Sequence, residues 1–232
     1  MSVSNYDHFA VDYAMENESS LLNAYYERPA MLELLGDVHD RRILDMGCGA
    51  GALSEQLIKR GASVSGFDAS KAMVEFARNR LGKSADITVA RLGETLPYAE
   101  DSFDDAVASL VFHYLEDWTE ALQEVRRVLR PGGRLIISVN HPILYPWNHR
   151  GMDYFKVTRY TDEVSLNGQS MELTYWHHPL HVTTSAFIDA GFSIERIWEP
   201  PYSKDAPVKV VPEPLRDRDA FLSFIFFSLR VN

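Results

Sequence analysis

Between Ile43 and Ser54 the chain reads Ile-Leu-Asp-Met-Gly-Cys-Gly-Ala-Gly-Ala-Leu-Ser. An apolar run halts at Asp45, glycines recur at Gly47, Gly49 and Gly51, and Ala52, Leu53, Leu57 and Ile58 then fall at helical spacing. That pattern predicts a strand, a tight turn and a helix. Glycine has no Cβ, so it adopts positive φ at little cost and lets a ligand lie against the backbone. The start of the following helix offers unpaired N–H groups and a partial positive charge. A nucleotide or an amino-acid carboxylate is the expected guest. The alternative is that the glycines only tighten a packing corner. Asp68 favours the ligand, because it follows at roughly the 20-residue separation at which α/β nucleotide folds place a ribose-binding acid.

The rest of the chain alternates. Residues 1–40 are polar and tyrosine-rich and lead into a helical segment at Pro29 to Leu35, with Pro29 suited to its first turn and Gly36 to its end. After the glycine turn, the pattern predicts a helix over Ala52 to Lys59 and a strand over Ser63 to Phe67 closed by Asp68. A helix over Lys71 to Leu81 follows, capped by Ser70 and ended by Gly82. Strands are expected at Ile87 to Ala90, Phe103 to Ser109, and Arg134 to Val139 after the break Arg130-Pro131-Gly132-Gly133, with a helix over Thr119 to Leu129. A helix at Thr183 to Ala190 and strands at Ser193 to Trp198 and Ala220 to Val231 complete the reading. Such alternation predicts a mostly parallel sheet covered on both faces, with its ligand at the carboxyl ends of the strands.

Composition narrows the partners. At 232 residues and 46% hydrophobic content, the chain is long enough for one sizeable core, so a single domain over 1–232 is expected. A formal charge of −10 argues against nucleic acid or an anionic membrane surface. Cys48 is the single cysteine, which excludes an internal disulfide and fits a reducing cytoplasm. No amino-terminal targeting signal is read in the first 15 residues, where Asp7 and Asp12 interrupt any apolar run. Ala220 to Val231 is about half the length of a membrane-spanning helix.

Gly47, Gly49 and Ala52 satisfy the permissive G-x-G-x-x-G/A fingerprint, so the turn alone leaves NAD open. Asp45, two residues before the first glycine and able to face a ligand ammonium, and the third glycine, Gly51, point elsewhere. Asp45-Met-Gly-Cys-Gly-Ala-Gly51 resembles motif I of the class I S-adenosylmethionine-dependent methyltransferases. Gly66-Phe-Asp-Ala-Ser-Lys-Ala-Met73 resembles the acidic end of their second strand, Leu96-Pro97 with Asp101-Ser-Phe-Asp104 their loop into strand four, and Val128-Leu-Arg-Pro-Gly-Gly-Arg134 the turn before strand five. The resemblance covers residues 25–140 closely, in the ubiquinone/menaquinone-methyltransferase-like (methyltransferase type 11) subgroup.

It implies a Rossmann-like, doubly wound seven-stranded sheet, mostly parallel with an antiparallel last strand. It also implies S-adenosyl-L-methionine as cofactor and S-adenosyl-L-homocysteine as product, with no metal required. Carried over residue by residue, Asp45, Gly47 and Gly49 hold the methionine end, Asp68 accepts both ribose hydroxyls, and Ala69 and Met73 wall the adenine, although Met73 also reads as core. Where relatives carry Gly-Asp-Ala, this chain has Arg91-Leu92-Gly93, which leaves adenine recognition to backbone groups at Leu92 and Gly93. Tyr13 and Arg28 are candidates for the cofactor carboxylate. Ser109 to His113 follows strand four beside the transferred methyl. His113 is the candidate general base, or it packs near the cofactor, since methyl transfer needs chiefly in-line positioning.

Residues 141–178 are read as a substrate-cap insertion and residues 1–40 as an N-terminal cap. The insertion carries Tyr145, Trp147, Tyr154, Phe155, Tyr160, Tyr175 and Trp176. Its strands Val164 to Leu166 and Glu172 to Tyr175 flank the hairpin signal Asn167-Gly168. The aromatics either face an apolar or planar small-molecule acceptor or bury the hairpin. His177 and His181 have metal-ligand spacing, but Pro179 interrupts it, so these and His141, His149 and His178 are better suited to an acceptor pocket. Glu199-Pro-Pro-Tyr202 resembles a DNA-amine methyltransferase signature in the wrong place and is read as a turn. The expected function is methyl transfer to a small molecule. A non-catalytic cofactor-binding module and an NAD-binding oxidoreductase are the alternatives.

Overall fold

Strands that are apolar on both faces need helices above and below them, and the chain builds that sandwich. The structure, a computed structural model, describes residue 14, residues 16–166 and residues 169–232. A π-helical turn, Asn23–Glu27, runs directly into α1 (Arg28–Leu35). Then come β1 (Arg42–Met46), α2 (Ala52–Lys59), β2 (Ser63–Asp68), α3 (Lys71–Leu81), β3 (Ala85–Val89) and β4 (Phe103–Ser109). They are followed by α4 (Thr119–Val128), β5 (Leu129–Asn140), α5 (Leu144–Asn148), β6 (Thr158–Leu166) and β7 (Gln169–His177). The last elements are α6 (Leu180–Asp189), β8 (Phe192–Trp198) and β9 (Phe224–Val231).

Seven strands form one sheet in the order β3-β2-β1-β4-β5-β9-β8, and β6 and β7 form a separate two-stranded ribbon. All pairings among the first five are parallel, and β9 is antiparallel to both neighbours. This is the expected doubly wound, Rossmann-like sheet with its antiparallel last strand. Side-chain alternation sorts the core into layers. Leu44, Met46, Ala106, Ala108, Leu135 and Ile137 pack with α4 residues Leu122 and Val125 and with Phe187 of α6. Ile43, Val107 and Ile136 pack with Met31 and Leu35 of α1 and Leu57 of α2. Buried Asp105 fastens the N-terminal side of the sheet, accepting Arg134 Nε at 2.7 Å and Arg41 Nη2 at 2.7 Å.

Several boundaries differ from the sequence expectation. The break Arg130-Pro131-Gly132-Gly133 lies inside β5, because Leu129 pairs with Phe103 and Arg134 with Asp105, leaving a bulge between them. The last strand begins at Phe224 instead of Ala220, since its partner β5 ends at Asn140, opposite Phe224. The sixth helix begins three residues early, where Pro179, φ −55°, accepts the N–H groups of Val182 and Thr183. Each hairpin strand spans nine residues, and the expected turn at Asn167-Gly168 lies outside the described residues. Among the described residues no helix is long and apolar enough to cross a membrane.

Candidate cofactor and acceptor site

The chain steps from β1 to β2 and β3 on one side, then to β4 and β5 on the other, so the sheet order reverses between β1 and β4. A crevice opens there at the carboxyl ends of the strands. The glycine turn fills one side of it, with φ of 66° at Gly47, 53° at Gly49 and 81° at Gly51. A Cβ on Gly47 would lie 2.7 Å from Val111 Cγ2, and one on Gly51 would lie 3.1 Å from Leu81 Cδ1. Gly51 serves packing, and Gly47 packs against Val111 while also lining the crevice. A Cβ on Gly49 would meet nothing within 4 Å, because that residue faces a cavity. Asp68 spans the turn: Oδ2 accepts Gly49 N–H at 2.9 Å and Oδ1 accepts Ser70 N–H at 2.8 Å.

Three cavities meet here. The first, about 300 Å³, is lined by Gly47, Gly49, Asp68, Ala69, Met73, Leu92, Gly93 and Ser109, all expected at the cofactor, by Val111 of the segment expected beside the methyl, and by Phe67 and Tyr114, which were not expected there. Met73 is both wall and core, since it is almost fully buried. The Arg91-Leu92-Gly93 segment does supply backbone at this wall, with Gly93 at φ 93°.

The second cavity lies on the other side of the glycines and contains Arg28 and Asp45. Asp45 is fully buried; Oδ2 accepts Ser54 Oγ–H at 2.5 Å, and Oδ1 has no hydrogen-bond partner among the described residues. Burial, reinforced by the charges of Glu27 and Asp68 and opposed by Ser54, pushes its carboxyl up to about 7. Arg28 donates from Nη2 to Asn17 O at 2.8 Å and to Asn17 Oδ1 at 2.5 Å. Tyr13 lies outside the described residues. Glu27 joins Asp45 in lining this cavity. Its carboxyl sits higher than usual because it is buried, against the opposing pull of the Ser138 and Ser109 hydroxyls.

The third cavity, about 330 Å³, lies beneath the β6–β7 ribbon and is lined by His113, Tyr114, Asn140, Tyr145, Tyr160 and Tyr175 among others. Tyr114 and Tyr175 stack at 5.4 Å with planes 27° apart, and Tyr145 and Tyr160 lie 4.9 Å apart. Leu110 lines all three cavities. It is also one of the few non-glycine residues with positive φ, 53°, held there by its N–H bonds to the O and Oγ of Ser138, each 3.1 Å. Backbone strain of this kind persists where surrounding bonds enforce it, commonly at functional sites.

His113 is buried, and its Nδ1 accepts the N–H of Asn140 at 3.2 Å. Burial, with a smaller contribution from His178, lowers the imidazole to about 3. A ring whose acceptor nitrogen is occupied and whose charged form is disfavoured suits packing better than proton transfer. Cys48 is buried and its thiol is pushed up by that burial, which suits an inert side chain. His177 bonds Tyr154 O at 2.8 Å from β7, whereas His181 lies in α6 beside Phe155. Glu199, following β8, pairs with His141 at 2.6 Å, and Tyr202 donates to Arg218 O at 3.0 Å.

A family model described as a methyltransferase domain matches residues 44–137. A protein of Haemophilus influenzae, described only as uncharacterized, is 30% identical over 200 residues, 77% of this chain and 78% of that protein. The crystal structure of an S-adenosylmethionine-dependent methyltransferase from Mesorhizobium loti matches with a TM-score of 0.67 and 28% identity, covering 87% of this chain and 96% of that one. The chain belongs to the class I S-adenosylmethionine-dependent methyltransferases. A demethylmenaquinone methyltransferase of Tropheryma whipplei is 34% identical over 125 residues, 53% of this chain and 52% of that enzyme. This methyltransferase therefore spans about half the length of that curated relative.

The residues present in this methyltransferase fit the family's cofactor, S-adenosyl-L-methionine. The unfilled Cβ position at Gly49 leaves room against the backbone, and Oδ1 of buried Asp45, without a partner among the described residues, is an acceptor that an ammonium satisfies. Asp68 lines the first cavity with a carboxylate, the acceptor type that ribose hydroxyls require. Sequence reasoning missed Glu27 and Tyr114. Glu27 carries no local signature, while Tyr114 directly follows the segment Ser109 to His113 singled out after β4, which contains Leu110, and was legible by position alone.

Proposed function

We propose that this methyltransferase transfers a methyl group to a small-molecule acceptor held under the β6–β7 ribbon. The observation that carries the reading is the convergence of the three cavities at Leu110. S-adenosyl-L-methionine supplies a methyl on a sulfonium; the acceptor's electron pair forms the new bond as the C–S pair returns to sulfur, leaving S-adenosyl-L-homocysteine and a proton. The chain's residues position the partners for that in-line displacement. Asp68 takes the ribose, with Ala69, Met73, Leu92 and Gly93 around the adenine. Asp45, Gly47, Gly49 and Arg28 hold the amino-acid end, with Ser109 at the junction. The tyrosines exclude water from the reacting atoms.

The aromatic lining suits an apolar or planar acceptor, and the relative named for demethylmenaquinone methylation fits that chemistry. We read 1–232 as one domain, with 1–40 and 141–178 covering the site. The acidic balance favours a small molecule over nucleic acid, and the single cysteine a reducing compartment such as the cytoplasm. An open third cavity favours catalysis over a non-catalytic module, in which that space would be collapsed.

Calorimetric titration with S-adenosyl-L-methionine, S-adenosyl-L-homocysteine and NAD tests the cofactor. Micromolar binding of the two adenosyl ligands without NAD is expected, and NAD alone would overturn the reading. Labelled methyl transfer to a panel of planar phenols, quinols and amines then tests catalysis.

A further inference from the structure

The second cavity holds two buried carboxylates, one more than the cofactor's ammonium needs. Glu27, at the end of the π-helical turn, is only 3% exposed. A single oxygen, Oε1, accepts Ser109 Oγ–H at 2.7 Å and Ser138 Oγ–H at 2.6 Å, which pins the carboxyl to the ends of β4 and β5. Oε2 takes no hydrogen bond among the described residues. No salt bridge to Glu27 forms among those residues: the guanidinium of Arg28 is bonded to Asn17 and reaches Glu27 only through its charge. Leaving an acid buried without a directly bonded cation is costly unless a ligand supplies one.

Position separates the roles of the two acids. Asp45 stands at the entrance to the glycine turn, bonded to Ser54 of α2, where the amino-acid end lies in the reading above. Glu27 is bonded to Ser109 and Ser138, beside Leu110, where the three cavities converge and the methyl must pass. The reacting sulfur is cationic before transfer and neutral afterwards. We propose that Glu27 is the specificity residue that distinguishes the sulfonium cofactor from its thioether product, favouring entry of the first and departure of the second. The inference rests on the cofactor reading and adds a charge-sensing residue to it.

The test is calorimetric binding of S-adenosyl-L-methionine and S-adenosyl-L-homocysteine to the full chain and to Glu27→Gln, at pH 8. The amide keeps an oxygen for the two serines but removes the charge. Affinity for the methionine form is expected to fall roughly tenfold or more, and for the homocysteine form less than about threefold, because only the first has a charge at sulfur to lose. Equal losses, or none, would overturn the proposal while leaving the cofactor assignment standing. Failure of the wild-type chain to bind either ligand would instead sink the cofactor assignment. Should the variant not fold, the wild-type chain decides: it is expected to bind the methionine form roughly tenfold tighter, and equal or tighter binding of the homocysteine form overturns the inference.

Discussion

Asp68 Oδ2 accepts the backbone N–H of Gly49 at 2.9 Å, so the acid at the end of β2 holds open the turn that follows β1. The same carboxylate takes Ser70 N–H through Oδ1, fixing the start of α3. One side chain thus bonds two segments that line the first cavity, the glycine turn and the start of α3. Asp68→Ala removes a charge-assisted acceptor and is expected to weaken S-adenosyl-L-methionine binding by about 2 to 3 kcal/mol. Calorimetry on a variant whose circular dichroism matches wild type measures this. Unchanged affinity would refute the ribose assignment.

Gly49 separates a packing turn from a binding turn. Its φ of 53° is unfavourable for alanine, yet an added methyl would touch no protein atom within 4 Å. Gly49→Ala is expected to cost about 1 to 2 kcal/mol of stability, the usual left-handed penalty, and to abolish cofactor binding because the methyl occupies the cavity. Gly47→Ala differs, since its methyl would strike Val111 at 2.7 Å and so lower stability further. Thermal unfolding and titration, run on both variants, distinguish the two glycines. If Gly49→Ala bound the cofactor normally, the turn would be a packing corner only.

Asp45 links the site to pH. Its carboxyl is raised from the ordinary 3.8 to about 7, chiefly by burial, with Glu27 from the π turn and Asp68 from β2 adding negative charge and Arg28 the nearby cation. An ammonium ligand favours the ionised form, so cofactor affinity is expected to rise between pH 5 and 7.5, and Asp45→Asn is expected to flatten that rise. The stability effect has the opposite sign. An acid whose folded pKa exceeds its unfolded value stabilises the fold fully below about pH 4, and that contribution is lost as pH rises through about 7. Ligand-free Asp45→Asn is therefore expected to be more stable than wild type at pH 8, by about 1 to 3 kcal/mol, as measured by denaturant unfolding.

What the sequence disclosed was local. The strand, turn and helix from Ile43 to Lys59 follow from a glycine spacing and a helical apolar stripe within 17 consecutive residues. Asp68 was legible because the fold places it at a fixed separation from that turn. Glu27 was not, for its partners Ser109 and Ser138 lie 82 and 111 residues away and it sits in a polar, tyrosine-rich segment without periodicity. The start of β9 was equally hidden, being set by where β5 runs out at Asn140 and not by any feature of residues 220–223.

His113 is a residue whose type alone leaves two roles open. An imidazole after β4 reads either as a base, since its unperturbed pKa lies near neutrality, or as a packing group beside the cofactor. In the fold its Nδ1 is bonded to Asn140 N–H, its ring meets Tyr114 and Tyr175 edge-on, and burial lowers it to about 3. The neutral ring ties the segment after β4 to the end of β5 and supports the tyrosine wall of the third cavity. Histidine proton shifts followed by NMR are expected to show no His113 inflection between pH 5 and 8. His113→Asn, which can still place an acceptor near Asn140, is expected to lower stability by about 1 to 3 kcal/mol. Once an acceptor is found, that variant should leave the pH dependence of methyl transfer unchanged. An inflection near pH 6 to 7 that disappears from the rate profile in the variant would restore His113 as the base.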